Sequence, residues 1–317
     1  MNLLFFDIEC ASVYKTTAKI CAFGYVLCDE HFNIIEKEDI LINPKGKFHL
    51  TDGSGGHGLV LPYEYGEFKK YPVFPQVYDR IKKLLEDRNN LVFGHATLND
   101  VNYLDLETRR FHLPPFDFTF SDSQLMYMTS IGDFTRQFSL KDVTKNLDVE
   151  FTPHRAADDA YATMRVTEAL CKKHNCSCAE LEDVLRIKRG KITNHRIIKP
   201  TSAAFGEYKN ECVRKKAERA KCRSKFYGRV NRRHTAKSDK LKGMIFNFSR
   251  QLEYNTEVSI PLVDAVFLFG GKYTQKLAEC NTYVCEKDDD TARTRKAISD
   301  GVVRIISPDE LRKMIDD

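Results

Sequence analysis

Residues 3–9 read LLFFDIE: four apolar positions run into an aspartate, an isoleucine and a glutamate. A short apolar run rich in aromatic side chains, Leu3–Phe6, predicts a strand. Side chains alternate along a strand, so Asp7 and Glu9 project from one face at its end. Two like charges set side by side repel. Either this strand end faces water, or a bound divalent cation offsets the pair.

Outward from this strand, Ile20–Leu27 and Ile34–Ile42 read as two more strands. Phe74–Leu85 predicts an amphipathic helix through Val77, Ile81, Leu84 and Leu85, followed by a short buried strand at Leu91–Phe93. Val101–Phe111, Leu140–Leu147 and Asp158–Lys172 have helical patterning. Strands first, then strands alternating with helices, predict an α/β domain with a mixed sheet flanked by helices, over residues 1–185. At 317 residues, with 42% hydrophobic and 30% charged residues, the chain has room for a second domain and the means to build its core.

The net charge of +5 is unevenly spread. Residues 207–242 hold 14 Lys and Arg against 4 Asp and Glu, so the rest of the chain is net acidic. This basic stretch belongs to a linker region, residues 186–242, that loses hydrophobic periodicity; within it Tyr208–Arg229 could form a charged helix. A positive strap points to a polyanionic partner. Its Phe226 and Tyr227, set among cations, could stack on nucleic-acid bases. The alternative is a solvated helix and linker with no partner.

Residues 243–317 carry a second, smaller α/β pattern. Its strands are Met244–Phe248, Thr282–Val284 and Val302–Ile306. Its helices are Ile260–Phe269, with Ser259 as N-cap and Gly270-Gly271 as the stop, then Thr291–Ser299 and Asp309–Met314. The apolar start of the chain is broken at once by Asp7 and Glu9, which argues against a signal peptide, and no run reaches membrane-spanning length. A cytoplasmic protein with free thiols and no membrane association is expected, and this extends to Cys171, Cys176 and Cys178.

Two further places hold carboxylates in unusual company. In FGHATLND, residues 93–100, a strand and turn lead to Asp100 at the opening of a helix, where an N-cap role is the plain alternative. In FTPHRAADDAYATMRVTEAL, residues 151–170, His154 precedes two adjacent aspartates. At about 100° per residue, Asp159 falls in the apolar stripe of the helix while Asp158 lies at its edge. Asp159 is therefore the inward carboxylate, and Asp158 a solvated one favoured by the helix dipole. Four hard oxygen donors suit Mg²⁺ or Mn²⁺ over zinc. A nearby histidine such as His154 could take a proton from water.

Together FFDIE, GHATLNDVNYL and HRAADDA resemble the three motifs of the DEDDh exonucleases, the family of the proofreading epsilon subunit of bacterial DNA polymerase III and of ribonuclease T. The resemblance spans about residues 1–172. It implies a ribonuclease H-like fold and a two-metal 3′→5′ exonuclease. In it Asp7, Glu9, Asp100 and Asp159 hold two Mg²⁺ or Mn²⁺ ions, and His154 activates water at the terminal phosphodiester. Cys10 stands where the family usually has threonine, and His95-Ala96 replaces a histidine–asparagine pair. Cys10, His95 and His57 of the glycine-rich loop are the residues expected at the substrate.

The pattern of residues 243–317 resembles a BRCT domain, without the tryptophan usual in its last helix. That resemblance implies a role with DNA in replication or repair and a protein or phosphate ligand, with Ser249 and Lys296 at the phosphate-binding places; the alternative is a serine in a turn and a surface lysine. The expectation is a metal-dependent exonuclease acting on DNA rather than RNA. An RNA 3′-end-trimming enzyme and a non-catalytic nucleic-acid tether are the rivals.

Overall fold

The structure is a computed structural model and describes residues 1–46, 65–149, 155–301 and 304–316. The chain forms two compact units, Met1–Tyr208 and Lys209–Asp317.

The first unit opens with an antiparallel meander of β1 (Asn2–Tyr14), β2 (Thr17–Asp29) and β3 (Ile34–Leu41). Then follow α1 (Tyr65–Phe68), α2 (Phe74–Glu86), β4 (Asn90–Gly94), α3 (Leu98–Arg110), β5 (Phe118–Asp122) and α4 (Ser123–Ile131). Next come α5 (Leu140–Asn146), α6 (Ala156–His174), α7 (Cys178–Val184), β6 (Ile187–Lys188), β7 (Gly190–Thr193), β8 (Arg196–Ile198) and β9 (Thr201–Ser202). The seven-stranded sheet has the order β3-β2-β1-β4-β5-β7-β8, and β6 pairs with β9 apart from it. β1, β4 and β5 are parallel, whereas β2, β3, β7 and β8 join antiparallel.

The expected mixed sheet flanked by helices is present. Leu4, Phe6 and Ile8 pack with Val77 and Ile81 of α2 and Leu104 of α3. Leu3 and Phe5 pack on the other face with Met126 of α4, Val143 of α5 and Met164 of α6. Both faces are covered, which is why the strand reads as an unbroken apolar run. Each buried Phe contributes about 1.5–3 kcal/mol relative to exposure. Asp7 and Glu9 continue the odd-numbered series, toward the α6 side.

Residues 187–202, expected as linker, instead form β6 to β9, and β7 extends the main sheet by pairing with β5. These strands are two to four residues long and lie among Lys and Arg, so no apolar run marks them. The expected charged helix is longer than its pattern suggested: α8 spans Ala203–Val230. Among the described residues no helix is long and apolar enough to cross a membrane.

The second unit contains β10 (Ile245–Phe248), α9 (Arg250–Tyr254), α10 (Thr256–Leu268), β11 (Lys272–Tyr273), β12 (Thr282–Val284), α11 (Ala292–Ser299), β13 (Arg304–Ile306) and α12 (Pro308–Asp316). Its sheet is wholly parallel, in the order β11-β10-β12-β13. α10 starts earlier than expected. Asn255 is its N-cap, Ser259 is buried within it, and Pro261 lies inside the helix. Phe226 does not face solvent for base stacking. It is fully buried with Phe246, Phe248, Val263 and Leu311, because α8 supplies part of this core.

Candidate active site

β1 pairs with β4 only from Asn2 to Phe5. Beyond that point it continues beside β2, with Asp7 opposite Gly24 and Glu9 opposite Ala22. Two register shifts follow between Glu9 and Ser12. Bulges of this kind re-aim side chains and are common beside active sites. The carboxylates therefore stand where the parallel part of the sheet ends.

Gly24 sets the position of α6. A Cβ there would lie 2.0 Å from both the carbonyl carbon of Ala156 and the backbone nitrogen of Ala157. Only a residue without a side chain lets the helix approach so closely. Opposite Gly24 on β3 is Asp39, whose Oδ1 accepts a hydrogen bond from the Ala157 N–H at 2.7 Å. The N-cap residue itself is Arg155, which has no side-chain acceptor, so the cap comes from a neighbouring strand.

This docking separates the two aspartates. Asp159 offers a carboxylate oxygen to a group with Asp7 and Glu9, all within 4.8 Å of one another. Asp158 turns to β3, where Lys37 donates to its Oδ1 at 2.6 Å. Asp100 lies in the first turn of α3 and is 5% exposed. It is not the N-cap, a position held by Thr97.

The electrostatics are those of crowded, buried acids. Burial, then repulsion from Asp100, Asp159, Glu9 and Asp39, holds the Asp7 carboxyl well above the usual range. Burial, with Asp159 and Asp39, pushes Glu9 up to about 7. Burial and the neighbouring Asp122 and Glu9 raise Asp100, against a lowering by the Ile8 backbone. Such a group ionises fully only if a cation offsets it. The donor set is all carboxylate oxygen, which suits a hard divalent ion. The acidic residues fit the expected metals.

His154 and His57 lie outside the described residues. Cys10 is half-buried against the core cluster, and burial, then Cys21, Asp100, Glu107 and Glu9, raises its thiol. Both ring nitrogens of His95 are engaged: Nε2–H donates to the Phe138 carbonyl at 3.0 Å, and Nδ1 accepts from Ser123 Oγ at 2.9 Å. Burial lowers this imidazole to about 4, so it stays neutral. These two hydrogen bonds fix the orientation of the His95 ring.

Three nearby residues escaped the sequence reading. Asp39 ends a charged run, EKED at residues 36–39, and Gly24 is an isolated glycine in an apolar run, itself a signal of close backbone approach. Tyr103 of α3 has a phenol raised to about 12, chiefly by burial and then by Cys10, Asp100, Asp7 and Glu9. It stays protonated and can act as a hydrogen-bond donor.

In the second unit, Ser249 is fully buried, and its Oγ caps α9 by accepting from Leu252 N–H at 3.2 Å. Lys296 is exposed on α11. Asp289 is buried near Ser249. Burial alone would raise its carboxyl, but hydrogen bonds from Ser249, Thr291 and Thr294 hold it below the usual range.

Residues 4–167 match the exonuclease family, RNase T. No curated protein matches the chain. Among solved structures it is similar to a 3′-exonuclease described in 3′-end-specific recognition of histone mRNA stem-loop, at 14% identity, covering 64% of this chain and 71% of that one with a TM-score of 0.48. A full-length 3′-exonuclease is 15% identical over 64% of this chain and 90% of that one, with a TM-score of 0.47. E. coli exonuclease I in complex with a dA16 oligonucleotide is 17% identical over 58% and 42% of the two chains, with a TM-score of 0.43. The family match spans more than half of the chain and includes the acidic group at Asp7, Glu9 and Asp159: the protein belongs to the exonuclease family of nuclease hydrolases.

Proposed function

We propose that this exonuclease removes nucleotides from the 3′ end of DNA, using Mg²⁺ or Mn²⁺ held by Asp7, Glu9, Asp100 and Asp159. The observation that carries the metal assignment is the convergence of Asp7, Glu9 and Asp159 at one half-buried strand end. Bound there, two divalent ions would supply electrostatic stabilisation of the attacking and leaving oxygens of a phosphodiester displacement.

The chain's own groups do the rest. Asp39 and Gly24 hold the first turn of α6 against the sheet and so position Asp159. Tyr103 keeps its proton beside the acids and can donate to a substrate oxygen. His154 is assigned as the general base on the motif it shares with the family, five residues before Asp159. An imidazole titrating near neutrality suits that role.

The second unit is proposed to be a BRCT-like module with a protein or phosphate ligand, and this association favours DNA in replication or repair. Its small parallel sheet between helices supports that reading; the buried Ser249 does not support phosphate binding at Ser249 and Lys296. The test is degradation of matched 5′-labelled DNA and RNA oligonucleotides with Mg²⁺, Mn²⁺ or chelator. Metal-dependent shortening from the 3′ end, faster on DNA, is expected. Faster turnover of RNA would make it an RNA 3′-end-trimming enzyme, and no hydrolysis with either metal would leave a nucleic-acid tether.

A further inference from the structure

Glu253 of α9 is fully buried and is surrounded by more positive charge than it needs. Its Oε2 accepts from Arg250 Nη1 at 2.5 Å, and its Oε1 from Arg293 Nη1 at 3.2 Å. Arg223 of α8 brings a third guanidinium, with Nε 3.8 Å from Oε2. The hydroxyls of Tyr227 and Tyr273 also donate to Oε1, at 2.6 and 3.1 Å. One guanidinium neutralises one carboxylate. Among the described residues none of these arginines pairs with a second acid, so the cluster keeps a surplus of positive charge.

That surplus is only partly hydrated. The three side chains are 41%, 34% and 13% exposed for Arg223, Arg250 and Arg293. Arg223 Nε is shielded from solvent and has no hydrogen-bond acceptor within reach. Surplus charge and an unfilled buried donor both cost free energy unless an anion arrives. The planar guanidinium fork matches phosphate oxygens. The cluster also lies just past the carboxyl ends of β10 and β11, where parallel sheets bind ligands.

The cluster continues along α8. Lys216, Arg219 and Arg223 are spaced three and four residues apart and so share one face of the helix. The Arg219 guanidinium sits 5.6 Å from the ring centre of Tyr254 on α9, which places it beside the cluster. A single phosphorylated residue would need one pocket. A row of cations suits a repeating polyanion.

We propose that Arg219, Arg223, Arg250 and Arg293 of the second unit form a binding site for backbone phosphates of single-stranded nucleic acid. The site uses neither Ser249 nor Lys296, and it rests on the reading of the protein as a nucleic-acid enzyme. Arg250 and Arg293 offset Glu253, while Arg219 and Arg223 carry the charge left for the ligand.

The test uses the full chain, with a fluorescein-labelled oligothymidylate bound in the presence of chelator and followed by anisotropy over a range of salt. Arg219→Gln with Arg223→Gln leaves Arg250 and Arg293 to neutralise Glu253, and thermal melting verifies that the variant is folded. At about 0.7 per phosphate contact on a single strand, the slope of log affinity against log salt should fall by roughly 1.4 in the double variant and about 0.7 in Arg219→Gln alone. Lys287→Gln with Lys313→Gln removes the same charge elsewhere in the unit and should leave the slope unchanged.

An unchanged slope in a folded Arg219/Arg223 variant, or an equal fall in the Lys287/Lys313 control, overturns the site. Displacement of the oligonucleotide by a phosphoserine peptide but not by its unphosphorylated form would also overturn it, in favour of a phosphopeptide receptor. Hydrolysis by the parent protein with Mg²⁺ is measured alongside. If hydrolysis is present and the slope does not move, the site falls and the exonuclease reading stands. If hydrolysis is absent and the slope falls as expected, the site stands without it.

Discussion

Gly24 lies directly beneath the first turn of α6, where a Cβ would fall 2.0 Å from the Ala157 nitrogen. This contact between the second strand and a helix far along the chain places Asp159 beside Asp7 and Glu9. Gly24→Ala must push the helix outward, since the atoms it meets are backbone. Overpacking of this kind costs about 1–3 kcal/mol. Thermal unfolding should show that loss, together with a fall in nuclease activity of tenfold or more by about an ångström of misplacement. Full activity at unchanged stability would show that the contact does not position the site.

Asp39 caps α6 from a neighbouring strand. Removing an acceptor at a helix N-terminus typically costs about 1 kcal/mol. Asp39→Ala should lose that much in a denaturant titration and lower activity without abolishing it. Asp39→Asn, which keeps an acceptor oxygen, should recover most of the stability.

The adjacent aspartates should behave oppositely. Asp159→Asn and Asp7→Asn are expected to abolish metal-dependent hydrolysis while leaving oligonucleotide binding in chelator largely intact. Asp158→Asn loses only its pairing with the partly exposed Lys37, a contact worth about 0–1 kcal/mol, and should retain near-parental activity. An inactive Asp158→Asn beside an active Asp159→Asn would reverse the assignment.

Stability without metal should depend on pH through Glu9. Its carboxyl is raised from an ordinary 4.5 to about 7 in the fold, so between these values the folded state holds a proton that the unfolded state has released. That contribution is complete below about 4.5 and is lost as pH rises through about 7. His95 acts in the other direction, because its imidazole is lowered to about 4 from 6.5 and its contribution grows as pH rises through that interval. Comparing the parent with Glu9→Gln isolates the acid: the variant should lose less stability between pH 5 and pH 8 in melting curves. Added Mg²⁺ should stabilise the parent more at the higher pH, where the ligands ionise more readily. Equal pH profiles for the two proteins would remove Glu9 from this role.

His95 should prove structural. His95→Ala breaks hydrogen bonds to Ser123 and the Phe138 carbonyl and leaves buried polar groups unpaired, at a cost of about 1–3 kcal/mol. The loss should appear in unfolding experiments, while KM for a single-stranded oligonucleotide measured well below the melting temperature stays close to the parental value. A large rise in KM with unchanged stability would return His95 to the substrate.

Local periodicity alone determined much of this protein. Alternation along LLFFDIE put Asp7 and Glu9 on one side, and helical phase distinguished Asp159 from Asp158, because both rules act over a few residues and need no partner. β1 to β4 and the helices α2, α3, α5 and α6 were legible for the same reason, whereas β5 and α4 were not read and β6 to β9 were too short to show a period. Other features depended on residues distant in sequence. Asp39 and Ala157 are 118 positions apart, so nothing local marks Asp39 as a helix cap. Cys10 and His95 stand where the motifs depart from the family pattern, and only the fold shows what surrounds them, a core cluster beside Cys10 and two hydrogen bonds on His95. Phe226 read as an aromatic in a basic strap, and only the apolar face of a parallel sheet drew it inside. The pattern of side chains states what each segment can bury; the tertiary structure decides which surface is there to bury it.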